Sequence, residues 1–486
     1  MKNILIATPP GLTADMQHTA YFPSRWSWAT GQYKKTTFYP YELAYLSSML
    51  KLRVPNYNVK MIDPSYYSVD WREYSNILSE LSPDILIVET DYLVYEELMR
   101  AYRDAVKNGL KCILILCGVY ATGFPSQCLS DGADHIAIGE YEESICRFIE
   151  NDLIIPTEGI YPNITPVLVD ITKLPLPEDI DIKRRNYCRT QMSEYNTVEM
   201  YASRGCPFSC NFCVARNVYY QKANYRKRDV NSVVAEIQYL FDSIKDLECV
   251  FFNEDTHSAD PVYLNTLCNA IIDAGLDKHK YICLANFYTL DKELLTLMKK
   301  AGYYKISIGV ESLDQMVTDN ILSNGQKSDH AKLLDFLHNC YELEISVATT
   351  VTIGAHGASM ESDYRTVRVL EDLYDKRLIQ EIQPSINLPV PGTPFYRLCE
   401  ENGWFDTTKT SGIFPNMLLA SYPSYTSAQI ETVYNYLQSF MQMTFALNFS
   451  RGIMYSNYDS EGWCKPVYDL NHRKPGTGVI DKVKKA

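Results

Sequence analysis

Residues 199–216 read Glu-Met-Tyr-Ala-Ser-Arg-Gly-Cys-Pro-Phe-Ser-Cys-Asn-Phe-Cys-Val-Ala-Arg. This stretch places Cys206, Cys210 and Cys213 in a C-x3-C-x2-C spacing, directly after a run that is typical of a short strand. A glycine and a proline flank the first cysteine. Both suit a tight loop, because glycine tolerates unusual backbone angles and proline fixes its own. The sequence therefore predicts a cysteine loop that wraps around a compact object.

Three thiolates this close together can hold three irons of a cubane [4Fe–4S] cluster. A cubane has four irons, and the sequence has no further cysteine between Cys213 and Cys249. One iron is therefore left open for a small molecule. The alternative metal is zinc, which needs a fourth ligand such as His257 and more often uses paired C-x2-C units.

The cysteine motif resembles that of the radical S-adenosylmethionine (SAM) superfamily. In that family the open iron is chelated by the amino and carboxylate groups of SAM. An electron from the cluster then cleaves SAM to methionine and a 5′-deoxyadenosyl radical. The resemblance implies that Cys206, Cys210 and Cys213 bind a [4Fe–4S] cluster and that SAM is the second cofactor. It also implies an electron donor of the flavodoxin or ferredoxin type.

Length and composition limit the class of protein. A chain of 486 residues is long enough for two or three domains. Its formal net charge of −13 argues against general nucleic-acid binding. Fourteen scattered cysteines fit a reducing compartment, and no apolar run approaches a membrane span. We therefore expect a cytoplasmic protein that acts on a small molecule, with no nucleic-acid partner and no membrane span.

Residues 1–150 alternate strand-like and helix-like segments and are predicted to form one α/β domain. Continuous apolar strands that alternate with helices predict a parallel sheet that is covered on both faces. The predicted strands lie at 4–7, 59–62, 84–89, 112–117 and 135–138, and the predicted helices at 41–52, 96–107 and 142–150.

The order of these signals resembles the cobalamin-binding, flavodoxin-like (Rossmann-type) domain that precedes many radical SAM domains. The matching motifs are Thr8-Pro9-Pro10-Gly11, Pro83-Asp84-Ile85, the turn at 117–122, and Gly139-Glu140 with Glu143. Two features depart from the family pattern. His18 belongs to a D-x-x-H run rather than the D-x-H-x-x-G that supplies an axial histidine, and Cys117 stands where a glycine is usual. Cobalamin is thus an implied third cofactor, beside the alternative of a domain that has lost it.

Residues 151–195 are rich in proline and are predicted to be an extended connector. Residues 196–400 repeat strand then helix, and this region resembles the partial (β/α)6 barrel of radical SAM enzymes. In such barrels chemistry gathers at the carboxyl ends of the strands. Residues 401–486 are predicted to be a helical C-terminal cap. The predicted barrel strands lie at 198–202, 249–253, 281–285, 305–309, 345–353 and 383–388.

The SAM contacts are implied by positions that match family motifs at the strand ends. A carboxylate or backbone group after the second barrel strand holds the SAM ammonium, and an I-G-x-E-S segment in the fourth reaches the ribose hydroxyls. An aromatic residue before the third cysteine lies near the adenine. In this sequence those positions are Asn253, Glu254 and Asp255 for the ammonium, Glu311 and Ser312 for the ribose, and Phe212 for the adenine.

Together these features predict an enzyme whose 5′-deoxyadenosyl radical abstracts hydrogen from an unactivated substrate carbon. With cobalamin bound, the expected outcome is C-methylation of a small molecule or natural product. The alternative is a cobalamin-independent dehydration, rearrangement or cyclisation, in which the N-terminal domain binds substrate. A zinc- or cluster-binding regulator without turnover is a further alternative, and the barrel pattern speaks against it.

Overall fold

The structure, a computed structural model, describes residues 1–11, 38–67, 69–188, 195–321, 329–410 and 418–450. His18 lies outside these residues. Among the described residues, no helix combines the length and the apolar character needed to cross a membrane.

The first sheet consists of five parallel strands that are buried on both faces. These strands are β1 (Lys2–Ala7), β2 (Tyr57–Ile62), β3 (Ile85–Glu89), β4 (Ile113–Cys117) and β5 (His135–Ile136). Their order is β2-β1-β3-β4-β5, the flavodoxin-like order, so the predicted fold of this region is confirmed. Apolar runs such as Leu86–Val88 are completely buried because helices cover both faces of the sheet.

Six helices accompany this sheet, and three of them were not predicted from the sequence. The six helices are α1 (Tyr41–Arg53), α2 (Trp71–Leu81), α3 (Tyr95–Lys107), α4 (Gly118–Gly123), α5 (Pro125–Ser130) and α6 (Glu142–Glu150). Helices α2, α4 and α5 are the three that were not predicted. Helix α2 begins after Asp70, whose carboxylate accepts the backbone N–H of Glu73 at 2.7 Å. This Asp-x-x-Glu spacing was the available signal, because it is typical of a helix start.

The second region contains a parallel sheet of six strands, and a small hairpin lies between the first two of these strands in the sequence. Its strands are β6 (Thr197–Met200), β7 (Ser203–Arg204), β8 (Arg226–Lys227), β9 (Cys249–Phe252), β10 (Lys280–Ala285), β11 (Tyr303–Glu311), β12 (Ser346–Ile353) and β13 (Glu381–Ile386). The sheet order β13-β12-β11-β10-β9-β6 gives each strand its sequence neighbours as partners, while β7 and β8 pair separately. The predicted partial barrel of six strands is confirmed.

Aspartate caps set the starts of several barrel helices. Asp229, Asp260, Asp291 and Asp329 each accept backbone N–H groups from the first turn that follows them. Such caps satisfy N–H groups that have no partner within the helix. The helices of this region are α7 (Val230–Ser243), α8 (Pro261–Asp273), α9 (Lys292–Lys300), α10 (Gln315–Ile321), α11 (His330–Glu342), α12 (Met360–Asp375) and α13 (Pro394–Asn402).

The C-terminal part of the described chain corrects one prediction. An antiparallel hairpin of β14 (Phe405–Thr410) and β15 (Leu418–Ala420) precedes the long helix α14 (Ser427–Ser450). The helix was predicted, but the hairpin was not, because its threonine-rich strand has no clear apolar alternation. Tyr425 anchors this part to the barrel, since its hydroxyl donates to the buried Asp363 carboxylate at 2.9 Å.

The carboxyl ends of the two sheets meet beside the cysteine loop. Helix α4, which follows β4, packs against a π-helical turn at Ala215–Tyr219, directly after the third cysteine. The Tyr141 ring, just beyond β5, contacts the Tyr219 ring edge to face, with centroids 6.5 Å apart. One hydrophobic core continues through both regions. The N-terminal sheet therefore presents its ligand-binding edge toward the part of the barrel that carries the cysteines.

Gly118 gives a direct test of this packing. Its φ is +93°, and an added Cβ would stand 2.7 Å from Glu89 Cγ and 2.8 Å from the Thr90 carbonyl oxygen. The glycine thus allows the start of α4 to pass close to the end of β3. We predict that Gly118→Ala lowers the free energy of unfolding by about 3 kcal/mol.

Gly109 is the matched control, because its φ is +102° and an added Cβ would meet nothing within 4 Å. Gly109→Ala should cost only the backbone strain, about 1 kcal/mol. Thermal midpoints of the two variants measure the difference. Equal losses would show that the close approach at Gly118 contributes nothing beyond backbone conformation.

Candidate active site

The cysteine loop is fixed at its start by backbone geometry. Gly205 has a φ of +88°, and an added Cβ would stand 2.0 Å from Asn224 Oδ1. Its N–H donates to Asp255 Oδ2 at 2.8 Å. The N–H of Asn224 donates to the carbonyl of Cys206 at 3.2 Å. These contacts exclude any side chain at position 205 and hold the first cysteine close to the end of β9.

Asn217 holds the second half of the loop. Its side-chain amide donates to the carbonyl of Cys210 at 3.0 Å and to that of Cys213 at 2.7 Å. The backbone N–H of Arg216 donates to Cys213 Sγ at 3.4 Å. Hydrogen bonds of this kind to cysteine sulfur are among the contacts that tune iron–sulfur clusters.

The tip of the loop is tied to the far side of the barrel through Asn211. Its backbone N–H donates to the Ile321 carbonyl at 3.0 Å, and its carbonyl accepts the N–H of Phe395 at 3.1 Å. Its side-chain amide donates to the Asn320 carbonyl at 2.9 Å. The loop therefore spans from β6 to the segments after β11 and β13, across the carboxyl edge of the sheet.

The electrostatics of the loop suit a cationic cluster. Burial raises the pKa of the Cys213 thiol well above its ordinary value, and nearby Cys210, Cys206 and Asp255 raise it further. Only bound metal ions would stabilise several thiolates in this place. Among the described residues no three His, Cys, Asp or Glu side chains converge on a single ion. A cubane differs from a single ion in that it spreads its three cysteines over three irons.

His257, the candidate fourth ligand for zinc, is fully occupied inside the protein. Its Nδ1 lies 2.5 Å from Glu254 Oε1, and its Nε2 lies 2.7 Å from the hydroxyl of Tyr303. Both ring nitrogens thus have partners, and the ring is buried. This arrangement argues against the zinc alternative, because it offers no nitrogen to a metal ion.

Glu254 belongs to the same buried group and shapes the backbone ahead of the cysteines. Its Oε2 accepts the N–H of Ala202 at 2.5 Å and the N–H of Ser203 at 2.7 Å. The side chain is completely buried. We infer that Glu254 holds the end of β6 and that Asp255, rather than Glu254, is the carboxylate beside the loop.

Asp255 is partly exposed at the base of the loop, where its Oδ2 also accepts the Tyr220 hydroxyl at 3.2 Å. Asn253 is partly exposed at the end of β9, and its N–H donates to the Met200 carbonyl at 3.2 Å. Phe212 lies half-buried within the loop and packs against the core. Asp255 therefore contacts the loop and Phe212 belongs to it, while Asn253 lies at the end of β9, and their contacts with SAM stay predictions.

Glu311 has a strained backbone at the end of β11. Its φ is +62°, and the register between β11 and β12 shifts at this residue. The N–H of Ser312 donates to the Val310 carbonyl at 2.8 Å, which closes a three-residue turn. Glu311 Oε2 accepts the Thr352 hydroxyl at 2.7 Å. Strain of about 1–3 kcal/mol at such a residue is typical of a functional site.

Ser312 follows Glu311 at the end of β11. Its hydroxyl is buried and accepts the N–H of Asp314 at 3.1 Å, at the approach to α10. This contact gives Ser312 a role in shaping the turn, and its contact with a ribose stays a prediction.

Two glutamates and two arginines near the loop were missed as a group. Arg204 and Arg226 lie on β7 and β8, while Glu140 and Glu142 follow β5, and they form ion pairs in which both carboxylates are buried. Arg204 stands two residues before Cys206, and Glu140 was recognised only as part of a motif. No local pattern connects positions this far apart in the sequence.

A parallel half-barrel with a three-cysteine loop after its first strand defines a cluster-bearing, SAM-cleaving class of enzyme. Residues 200–370 match the family model of the radical SAM superfamily. This part of the chain is therefore a radical SAM domain, and the protein is an enzyme. The predicted [4Fe–4S] cluster and SAM are the cofactors that such a domain implies, and this prediction is confirmed.

Similar proteins extend the likeness beyond that domain. The anaerobic magnesium-protoporphyrin IX monomethyl ester cyclase of Cereibacter sphaeroides is 26% identical over 407 residues, covering 78% of this chain. The match covers 63% of the cyclase, so the chain spans less than two thirds of that relative.

Two solved structures share the whole architecture. The radical SAM methyltransferase TsrM from Kitasatospora setae, with tryptophan and a SAM analogue bound, has a TM-score of 0.68 at 14% identity, over 90% of this chain and 89% of its own. The cobalamin-dependent SAM radical enzyme OxsB, with aqua-cobalamin bound, has a TM-score of 0.67 at 13% identity, over 92% and 67%. At these identities the likeness shows the fold.

The buried Glu254 carboxylate leads to a stability prediction. Glu254→Gln keeps one acceptor oxygen, replaces the other with an NH2 group and removes the negative charge, so it weakens the contacts with the N–H groups of Ala202 and Ser203 and with His257. We expect a loss of about 3 kcal/mol in folding free energy, together with weaker retention of iron. Thermal midpoints and iron content per chain measure both effects.

Glu248 is the matched control, because it also accepts a backbone N–H beside β6, that of Asn196, at 2.9 Å. Unlike Glu254, Glu248 is exposed. Water can replace that contact in Glu248→Gln, so its midpoint and iron content should equal those of the wild type. An equal effect of both variants would contradict the special role of the buried carboxylate.

Proposed function

We propose that this enzyme binds cobalamin in its N-terminal domain and transfers a methyl group to an unactivated carbon of a small molecule. The observation that carries the proposal is the meeting of the two carboxyl edges beside the cysteine loop. A cofactor on the first sheet and SAM on the second would then face one shared substrate. The fold shared with TsrM and OxsB over at least 90% of this chain supports this reading.

In this proposal Cys206, Cys210 and Cys213 would hold the cluster, which would supply the electron for the reductive cleavage of SAM. Asp255 lies at the base of the loop and orients the SAM ammonium, because a cation near a buried site needs an anionic partner. Glu311 accepts hydrogen bonds from the ribose hydroxyls with a carboxylate that Thr352 already orients. The packed barrel excludes water from the radical.

The order β2-β1-β3-β4-β5 directs a ligand to the carboxyl edge of the first sheet. Unpartnered buried polar atoms stand at this edge within the described residues: Arg204 Nη2, Glu142 Oε2 and the Tyr219 hydroxyl. Buried polar atoms without partners indicate water or ligand groups that complete them. The amide side chains of a corrinoid offer both donors and acceptors, which supports the proposal that such a cofactor binds at this edge.

A second candidate function is a cobalamin-independent radical reaction such as cyclisation. It is favoured by the similarity to the Cereibacter sphaeroides cyclase over 78% of this chain. In this case the first sheet would bind the substrate itself. For either function we propose a small-molecule substrate, a cytoplasmic setting and a flavodoxin- or ferredoxin-type electron donor, because the cluster needs a low-potential electron.

Corrinoid binding separates the two functions. After anaerobic purification, the protein is incubated with hydroxocobalamin, desalted, and examined for corrinoid absorbance. The methyltransferase proposal predicts about one corrinoid retained per chain, together with about four irons and dithionite-dependent formation of 5′-deoxyadenosine from SAM. Protein that holds iron and cleaves SAM but retains no corrinoid would overturn the methyl-transfer proposal and favour the second function.

Glu311 tests the proposed SAM site. Glu311→Gln keeps the size of the side chain but weakens its acceptance of the ribose hydroxyls, so we expect SAM to bind about tenfold more weakly. Iron content should remain that of the wild type, because the residue lies outside the cysteine loop. Titration of SAM into reconstituted protein, followed by the change in cluster electron paramagnetic resonance (EPR), measures the affinity.

Glu381 is the control for this variant, because it lies on β13 and pairs with Lys305 at 2.5 Å, away from the end of β11. Glu381→Gln should leave SAM affinity within error of the wild type. Unchanged SAM affinity in Glu311→Gln would remove Glu311 from the proposed site.

A further inference from the structure

The cysteine loop begins and ends at two paired arginines. Arg204 on β7 and Arg226 on β8 are direct partners in the antiparallel hairpin, and residues 205–225 between them include all three cysteines. A change in the position of this hairpin therefore moves both ends of the loop together.

Both arginines bind one glutamate of the N-terminal domain. Arg204 Nη1 lies 2.9 Å from Glu140 Oε1, while Arg226 contacts both oxygens of Glu140, with Nη1 at 2.7 Å and Nη2 at 3.1 Å. Arg204 Nη1 also lies 2.7 Å from Glu142 Oε1. Glu140 is thus shared by the two strands that enclose the loop.

Most charged groups of this contact are almost entirely buried. Glu140 and Glu142 are completely buried, and Arg204 is 2% exposed. Burial opposes ionisation, but Arg226 and Arg204 outweigh it and lower the pKa of the Glu140 carboxyl. A movement of the hairpin would separate the arginines from Glu140 and leave a buried charge without its partner, which is strongly unfavourable. The hairpin therefore has no alternative position of similar energy.

Glu140 and Arg226 both also contact the backbone of Val169, in the connector. Glu140 Oε2 accepts the backbone N–H of Val169 at 2.7 Å, and Arg226 Nη1 donates to the Val169 carbonyl at 2.7 Å. The N-terminal sheet, the connector and the hairpin thus meet at one carboxylate.

We propose that Glu140, supplied by the N-terminal domain, is a positioning residue for the cluster-binding loop of the barrel. Through Arg204 and Arg226 it sets the position of both ends of the loop, and Glu142 supports Arg204. The N-terminal domain is therefore part of the SAM-cleaving site, whichever ligand it binds. This inference rests on the radical SAM site and does not depend on cobalamin.

Glu140→Gln tests the proposal, because it keeps the shape and removes the charge that holds both arginines. We expect iron near the wild-type content but a rate of 5′-deoxyadenosine formation, per iron-loaded chain with dithionite and SAM, about tenfold lower. The EPR spectrum of the reduced cluster should also respond differently to SAM. A purely structural role would lower the thermal midpoint without changing either quantity per loaded chain.

Glu143→Gln is the matched control from helix α6, three residues away, since Glu143 pairs with Arg53 and Arg147 and no ion pair joins it to either arginine of the hairpin. It should match the wild type in rate and spectrum. A wild-type rate and spectrum in Glu140→Gln, or equal losses in Glu143→Gln, would overturn the proposal.

Should Glu140→Gln not fold, Arg226→Lys carries the same test. Arg226 is partly exposed, and lysine keeps the charge but cannot contact both oxygens of Glu140. The same loss per loaded chain is expected, and wild-type values would again overturn the proposal. Wild-type protein that holds iron but forms no 5′-deoxyadenosine would instead contradict the radical SAM function itself.

Discussion

The site depends on one buried carboxylate at the end of β9. Glu254 accepts two consecutive backbone N–H groups just beyond β6 and pairs with His257. Parallel strands leave such N–H groups without partners where a chain departs from the sheet, and a buried unpaired N–H is costly. By satisfying them, Glu254 allows the backbone to leave the sheet at Ala202 and to form the hairpin that encloses the cysteines.

The sequence predicted the architecture well because its strands are short apolar runs separated by clear helix starts. The five strands of the first sheet and the six of the second were all anticipated, and the aspartate caps explain where several helices begin. The omissions have physical reasons. Helix α2 does carry a capping pattern, whereas α4 and α5 have only six residues each, too few for a helical period to show. The strand that begins at Phe405 lacks the apolar alternation by which a strand is recognised.

The sequence predicted where the residues of the site lie in the fold, but not where their side chains point. Motifs located Glu254, Asp255, Glu311 and Ser312 at the strand ends, yet only the fold distinguishes the carboxylate that supports backbone from the one that lies beside the loop. The strained turn at Glu311 depends on pairing between β11 and β12. The contact of Glu140 with Arg204 and Arg226 depends on how two sheets pack, so no local sequence pattern contains it.

The connection through Glu140 has a consequence for how the protein is made. A chain leaves the ribosome from its amino terminus, and domains generally fold as units in that order. The first sheet is complete at β5, about seventy residues before Cys206, the first cysteine of the loop, is synthesised. The cysteine loop thus emerges beside a surface that is already folded, and the order of synthesis itself favours seating the loop before any iron is inserted.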